Sequence, residues 1–313
     1  MENLLLSPQS IAADIDQAVL EIASLTEGQY VTNPSSYADQ IAFLAEHGEI
    51  QMGEELPWSN DVQKLRGGEL SVWAGVNGHG KSLILGQAML WRMNNQKVVI
   101  ASLEMKPKET LWRMIKQYAG CVPCRDFALD VLAKFEGRLW IYDQLDSIAS
   151  DRVIGLIHYA KKHIGADHIV IDSMSKCGMG QENYDKQMAF TDKLQWAAKH
   201  HDIHVHLVCH VRKGDKEGNK ISKFDIKGSG AIADLTDNIF LVSRNKQREQ
   251  AKARRDKQTP QKDDEKILQQ ADVYLDIPKN RHGGKEGVIP LYFDPKSLQY
   301  KTRETTQAMC APF

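Results

Sequence analysis

The chain has 313 residues, 42% of them apolar and 26% charged, with a net charge of −1. That is length enough for one large α/β domain with an appendage, and the composition excludes collagen-like, disulfide-stapled and intrinsically disordered chains. No apolar run reaches membrane-spanning length, the first six residues carry an acid and no base, and five scattered cysteines fit a reducing compartment, so the expected address is cytoplasmic.

The charge is unevenly placed. Residues 1–60 contain ten Asp or Glu and no Lys or Arg, which leaves 40 basic residues against 31 acids in the rest. A basic body points to an anion, nucleotide or nucleic acid, and an acidic front to protein. In the front, Ser7 and Pro8 read as an N-cap followed by proline at the first helical position. Ile11, Ile15, Val19 and Ile22 then form one apolar stripe, so a helix is expected over Ser7–Leu25. Its stripe can pack on its own domain or on a neighbouring subunit, and periodicity does not choose. A second short helix is expected over Tyr37–Glu46.

From about Leu56 the pattern alternates between strand and helix. Strands are expected at Leu70–Ala74, Val98–Leu103, Leu139–Tyr142, Ile169–Asp172, Val205–Cys209, Asn238–Val242, Val273–Ile277 and Val288–Phe293. Helices are expected at Lys81–Met93, Lys108–Ala119, Arg152–Ile164 and Tyr184–His200. Short apolar strands separated by helices argue for a mostly parallel sheet covered on both faces. Asn245–Asp264 is poor in apolar residues and rich in charge around Pro260, and reads as a mobile insertion. Cys121 and Cys124 have ligand spacing but no second ligand pair nearby, so they read as ordinary thiols.

The sharpest signal is Gly75-Val76-Asn77-Gly78-His79-Gly80-Lys81-Ser82, which fits the phosphate-loop pattern G-x-x-x-x-G-K-S/T at every defined position. It follows a strand and opens a helix, as the chemistry requires. Glycines let several backbone N–H groups face one phosphate, and the helix N-terminus adds its positive end. Gly75, Asn77, Gly78, His79, Gly80, Lys81 and Ser82 are therefore the expected nucleotide contacts. Lys81 can neutralise the β- and γ-phosphates, and the Ser82 hydroxyl can ligate Mg²⁺. Asp172 ends an apolar strand and is the natural acid for the metal, while Glu104, just after another strand, can orient a water for in-line attack. Acids at strand ends are often plain caps; beside a phosphate loop they favour hydrolysis.

Ser102-Leu103-Glu104-Met105, the strand ending in Asp172-Ser173, and Asp225–Ile232 (DIKGSGAI) resemble the replicative ring helicases of the DnaB type. The likeness is strongest to the helicase half of phage primase–helicases and to mitochondrial Twinkle, and it covers about residues 54–300. It implies a RecA-like P-loop NTPase core, α/β in class, with a mostly parallel sheet flanked by helices and a short helical N-terminal segment. The chain then divides into an acidic front (1–53), a motor domain (54–300) and a tail (301–313). The family assembles as a hexameric ring around single-stranded DNA and splits ATP or dTTP with Mg²⁺ at subunit interfaces. By this resemblance Glu104 is the catalytic base, Asp172 serves the metal, and His210 is the γ-phosphate sensor. Lys279 and Arg281 reach the neighbour's active site; at i and i+2 of an extended segment they face the same way. Arg244 matches an arginine that stacks on the base, with Tyr292 or Phe293 for the opposite face. The front helix Ser7–Leu25 would dock on the adjacent protomer.

Loops after Asp172 and His210 would face the ring's channel. Val211–Lys227 carries Arg212, Lys213, Lys216, Lys220, Lys223 and Lys227, which suits gripping a phosphate backbone without reading bases. Gly228, Ser229 and Gly230 can offer N–H groups to a phosphate. Ser173–Asn183 has Lys176 as its one cation and is the weaker candidate. The expected function is a replicative helicase moving 5′ to 3′ on single-stranded DNA at a fork, with a primase or polymerase as partner and no membrane. It would work in the cytoplasm, that of an infected host if the chain is a phage's. A recombinase-like filament ATPase is the alternative within the fold, and a nucleotide-binding loader or regulator the alternative in kind.

Overall fold

The computed structural model describes residues 5–6, 14–17, 19–21, 33–47, 53–58, 64–178, 183–211, 222–226, 230–259, 261–282 and 286–313. Its centre is one sheet built from β1 (Leu70–Gly75), β2 (Val98–Ser102), β3 (Leu139–Tyr142), β4 (His168–Asp172), β5 (His204–His210), β6 (Asn238–Arg244), β7 (Val273–Asn280) and β8 (Gly287–Phe293). Each falls within a few residues of a strand expected from the sequence. The order across the sheet is β3-β2-β4-β5-β1-β6-β7-β8, and the two-residue strands Leu5–Leu6 and Tyr300–Lys301 extend it beside β3 and β8. Pairing is parallel from β3 through β6. It turns antiparallel at β7 and β8; β8 follows β7 after a short connection, whereas residues 245–272 between β6 and β7 include helices.

β1, β2 and β4 are buried along their whole length, as strands covered on both faces must be. Within β1, Leu70, Val72 and Ala74 join one core cluster and Trp73 the other. The first cluster is closed by α4 (Ser150–Tyr159), α5 (Tyr184–His201) and α6 (Gly230–Leu235). The second is closed by α1 (Lys81–Arg92), α2 (Pro107–Ala119) and α3 (Arg125–Phe135). Helix α3 was not expected, although Val131 and Phe135 recur at helical spacing and are its buried residues. Among the described residues no helix is long and apolar enough to cross a membrane.

Three stretches were not settled by the sequence. The charged tract 245–264 holds a helix, α7 (Lys246–Asp256), in place of a mobile insertion. Its Arg248 is fully buried, pairs with Asp272 and, at 2.8 Å, with Glu304, and lies over the Tyr292 ring. The low-apolar composition concealed a helix held by ion pairs instead of by an apolar face. The described part of the front helix packs on α4 of its own chain. Ile15 is fully buried, Asp16 pairs with Arg152 at 2.5 Å and Glu21 with Lys162 at 2.6 Å. Gly155 lets them meet: a Cβ there would lie 2.8 Å from Ile15 Cγ2. Finally, the tail returns to the body, with Ala311 N–H donating to Tyr118 O at 2.9 Å and the Phe313 ring against Tyr118.

At the edge of the sheet where the parallel strands begin, His168, His204 and His206 lie buried with ligand atoms within 4.8 Å of one another. Every ring nitrogen is already engaged. Trp73 Nε1–H donates to His206 Nδ1 (3.1 Å), which makes His206 Nε2 the donor to His168 Nδ1 (3.1 Å) and His168 Nε2 the donor to Gln96 Oε1 (3.0 Å). His204 Nδ1–H donates to Arg66 O (2.6 Å), leaving Nε2 to accept from Ser71 Oγ (2.7 Å). The rings of His204 and His206 stack, so their lone pairs do not converge on a point. This is a structural network of neutral histidines, with no lone pair left for a metal.

Candidate functional site

The opposite edge gathers the expected site. β1 pairs with β5 so that Gly75 lies opposite His210, and β2 pairs with β4 so that Ser102 lies opposite Asp172. Four parallel strands thus end together, and the loops after them share one crevice. The loop Gly75–Ser82 curls through Gly78 (φ +80°) and Gly80 (φ +88°) into α1. A side chain is excluded at Gly80 on two counts: its left-handed backbone, and the Tyr300 hydroxyl 2.1 Å from where a Cβ would sit. Tyr300 is a site neighbour that the sequence reading missed, since only the closing strand Tyr300–Lys301 brings it back over the loop. It is pinned there by Gln87 and by Trp58 Nε1, which donates to its carbonyl at 2.9 Å.

Lys81 is buried and its Nζ donates to Gly75 O (2.9 Å) and Val76 O (3.2 Å), so the amine lies inside the loop it would share with a phosphate. Burial lowers its proton affinity, with Asp172 and Glu104 acting against that shift. Ser82 Oγ donates to Asp172 Oδ2 at 2.5 Å. Asp172 is buried, which raises its pKa against the opposing Ser82 hydrogen bond and Lys81 charge. A hydroxyl and a carboxylate in contact at a helix N-terminus are hard oxygen ligands of the kind Mg²⁺ prefers.

Glu104 stands just past β2 on a half-exposed side chain. His210 Nε2 at 3.6 Å, with the hydroxyls of Ser173 (2.5 Å) and Ser175 (3.2 Å), holds its pKa down at about 2. It is therefore ionised. Both serines were overlooked in the sequence, although Ser173 directly follows Asp172.

Two buried ring nitrogens at this edge have no hydrogen-bond partner among the described residues: His79 Nε2 and His210 Nδ1. His79 Nδ1 accepts from the Arg244 N–H at 3.2 Å, which leaves its Nε2 the proton, and burial lowers the ring's pKa. The phosphate loop thus carries an unanswered donor, which fits an anionic ligand. Arg244 lies beside the loop, with its NH1 3.4 Å from Gly78 O and its Nε paired to Glu249. Of its expected aromatic partners, Tyr292 is engaged by Arg248 and Phe293 packs against Tyr300. Asn77 and Gly78 are exposed on the loop's outer face.

Lys279 and Arg281 do not join this cluster. β7 runs antiparallel to β6, which carries them to the far edge of the sheet. There Lys279 Nζ donates to Ala233 O (2.6 Å) and Asp234 O (2.9 Å), and Arg281 binds Asp237 Oδ1 (2.8 Å) and Asp234 O (2.9 Å). The two cations share one patch, as their spacing implied. Of the expected DNA contacts, Arg212, Lys213, Lys216, Lys220, Gly228 and Ser229 lie outside the described residues. Gly230 begins α6 and is exposed.

Residues 52–216, more than half of the chain, match the family described as an AAA domain. The chain belongs to that family. This AAA-domain chain is 26% identical over 205 residues to a DNA helicase/primase of Enterobacteria phage T3, covering 58% of itself and 36% of that relative, so it spans about a third of that relative's length. In fold it is similar to a solved ATPase domain (TM-score 0.65, 16% identical, covering 86% of this chain and 99% of the other). It is likewise similar to a DnaB-like replicative helicase solved for its interactions with primase (TM-score 0.63, 15% identical, 93% and 76%). The architecture is therefore that of DnaB-type ATPase domains, α/β with a mostly parallel sheet.

Proposed function

We propose that the chain is the motor of a DnaB-type replicative helicase, which splits ATP or dTTP with Mg²⁺ and moves 5′ to 3′ on single-stranded DNA as a hexameric ring. Primase and fork DNA are its partners, with a polymerase as a further one. The observation that carries the reading is the separation of the cations from the cradle: Lys279 and Arg281 lie at the sheet edge remote from the phosphate loop of their own chain. A phosphate loop, a base and a metal-binding pair on one edge, with two paired cations on the other, suit a site completed by a second copy.

In this reading the backbone N–H groups of the loop and Lys81 hold the β- and γ-phosphates, and Ser82 with Asp172 holds Mg²⁺. Mg²⁺, when bound, offsets phosphate charge and fixes the geometry for in-line displacement. Glu104 accepts a proton from the attacking water. His210, beside Glu104 and at the end of the strand next to the phosphate loop, is placed to sense whether the γ-phosphate is present. The partner's arginine stabilises charge on the transferring group, so turnover depends on assembly.

The test is native mass of the wild-type chain with Mg-nucleotide and a 5′-tailed fork, read beside hydrolysis and unwinding, with Lys81→Ala as the control that loses turnover. Hexamers that unwind 5′-tailed but not 3′-tailed forks are expected. A protein that stays monomeric at high concentration and hydrolyses at full speed would sink the proposal.

A further inference from the structure

The acid used above as a base has an unusual set of neighbours. Glu104 Oε1 accepts from Ser173 Oγ at 2.5 Å and Ser175 Oγ at 3.2 Å and faces His210 Nε2 at 3.6 Å. All three contacts fall on one oxygen. The last torsion of a glutamate is broad and roughly two-fold, so rotamer preference alone does not orient the carboxylate. Donors gathered on Oε1 do orient it. The two hydroxyls are 2.6 Å apart and bring two protons to three contacts with each other and with Oε1, so Ser175 holds Glu104 either directly or through Ser173.

Both serines belong to the segment that follows β4. Ser173 is fully buried, and its carbonyl accepts from Lys176 N–H at 3.0 Å within the single turn Met174–Lys176. Lys176 O in turn accepts from Ile148 N–H at 2.8 Å. The turn is thus braced on its body side, and Ser175 sits on its exposed side. A displacement of this segment would move both donors on Glu104 together.

We propose that Ser173 and Ser175 are positioning residues that align Glu104 as a base. The proposal rests on Glu104 being the base. It concerns no contact of either serine with substrate; they act through the carboxylate.

Ser175 gives the cleaner variant, because it is exposed and two residues further from Asp172 than Ser173 is. The experiment compares Ser175→Ala, Ser175→Thr and Glu104→Gln in the full chain, by steady-state hydrolysis. Ser175→Ala should lower kcat about fivefold, the worth of one hydrogen bond, and leave the nucleotide KM within about twofold. Ser175→Thr, which keeps the hydroxyl, should restore kcat. Ser173→Ala should act in the same direction and more strongly. Unchanged kcat in Ser175→Ala would overturn the proposal, as would failure of Ser175→Thr to rescue. Glu104→Gln separates the two readings. If it still turns over, the base assignment fails. If it is inactive while Ser175→Ala is fully active, only the positioning role fails.

Discussion

Arg281→Ala tests the shared site most directly, because the fold keeps this residue from its own phosphate loop. Asn280 pairs with Asn238, and Asn238 lies opposite Ser71, four residues before Gly75 on β1. At about 3.3 Å per strand residue, some 13 Å of sheet separates the arginine's end of the strand from the loop. Within its own chain, the substitution removes a pair with Asp237, whose other oxygen keeps the Leu70 N–H at 2.9 Å. The arginine is over a third exposed but Asp237 is buried, so that loss costs about 1–3 kcal/mol. Delivered to a neighbour's site, the same guanidinium contributes about a thousandfold or more to turnover, or at least about 4 kcal/mol. Arg281→Ala should therefore melt several degrees lower but still fold and bind nucleotide normally, yet hydrolyse at least about a thousandfold more slowly. Mixed in equal amounts with the equally inactive Glu104→Gln protein, it should regain about a quarter of wild-type turnover. That is the fraction of interfaces with an intact Glu104 on one side and an intact Arg281 on the other, if subunits assort at random and sites act independently. Failure of every mixing ratio to restore hydrolysis, with both proteins assembled and nucleotide-bound, would refute the shared site.

Gly80→Ala should destabilise the fold by about 1–3 kcal/mol, from the left-handed backbone and the Tyr300 hydroxyl, and weaken nucleotide binding. Adding Tyr300→Phe should recover part of that loss, and thermal unfolding measures both. The histidine network makes stability depend on pH. Burial lowers the pKa of His204 to about 3 and those of His168 and His206 well below 6.5. Below pH 6.5 the unfolded chain binds protons that the folded chain refuses, so stability is full above 6.5 and falls as pH drops toward about 3. Each histidine contributes a slope of up to about 1.4 kcal/mol per pH unit, and a Tm that is flat between about pH 6.5 and 5 would contradict it. Arg248→Ala should cost about 3 kcal/mol in chemical denaturation, the low end for breaking a buried pair, because Lys252 still reaches Asp272 at 2.8 Å. Replacing Lys213 and Lys216 together with Ala should reduce the salt slope of single-strand binding by about 1.4; an unchanged slope would clear that loop of phosphate contact.

Much of this molecule is legible without coordinates, for reasons that are local. A strand of buried apolar residues, a glycine loop, Lys-Ser and a helix form one continuous stretch, so the phosphate loop and its flanks could be read from Leu70 to Arg92. Asp172 and Glu104 were visible because each directly ends or follows an apolar strand, and eight such strands could be placed by period and composition alone. Local pattern failed where stability comes from partners distant in sequence. Helix α7 has almost no apolar face and stands on Arg248 meeting Asp272 and Glu304, a pairing no window around residue 248 contains. Tyr300 reaches Gly80 across more than two hundred residues because the last strand closes the sheet's edge. Which edge each strand end occupies, and hence that Glu104 and His210 meet while Arg281 lies apart, depends on strand order and direction. Those are set by packing of the whole sheet, and local sequence carries no direct record of them.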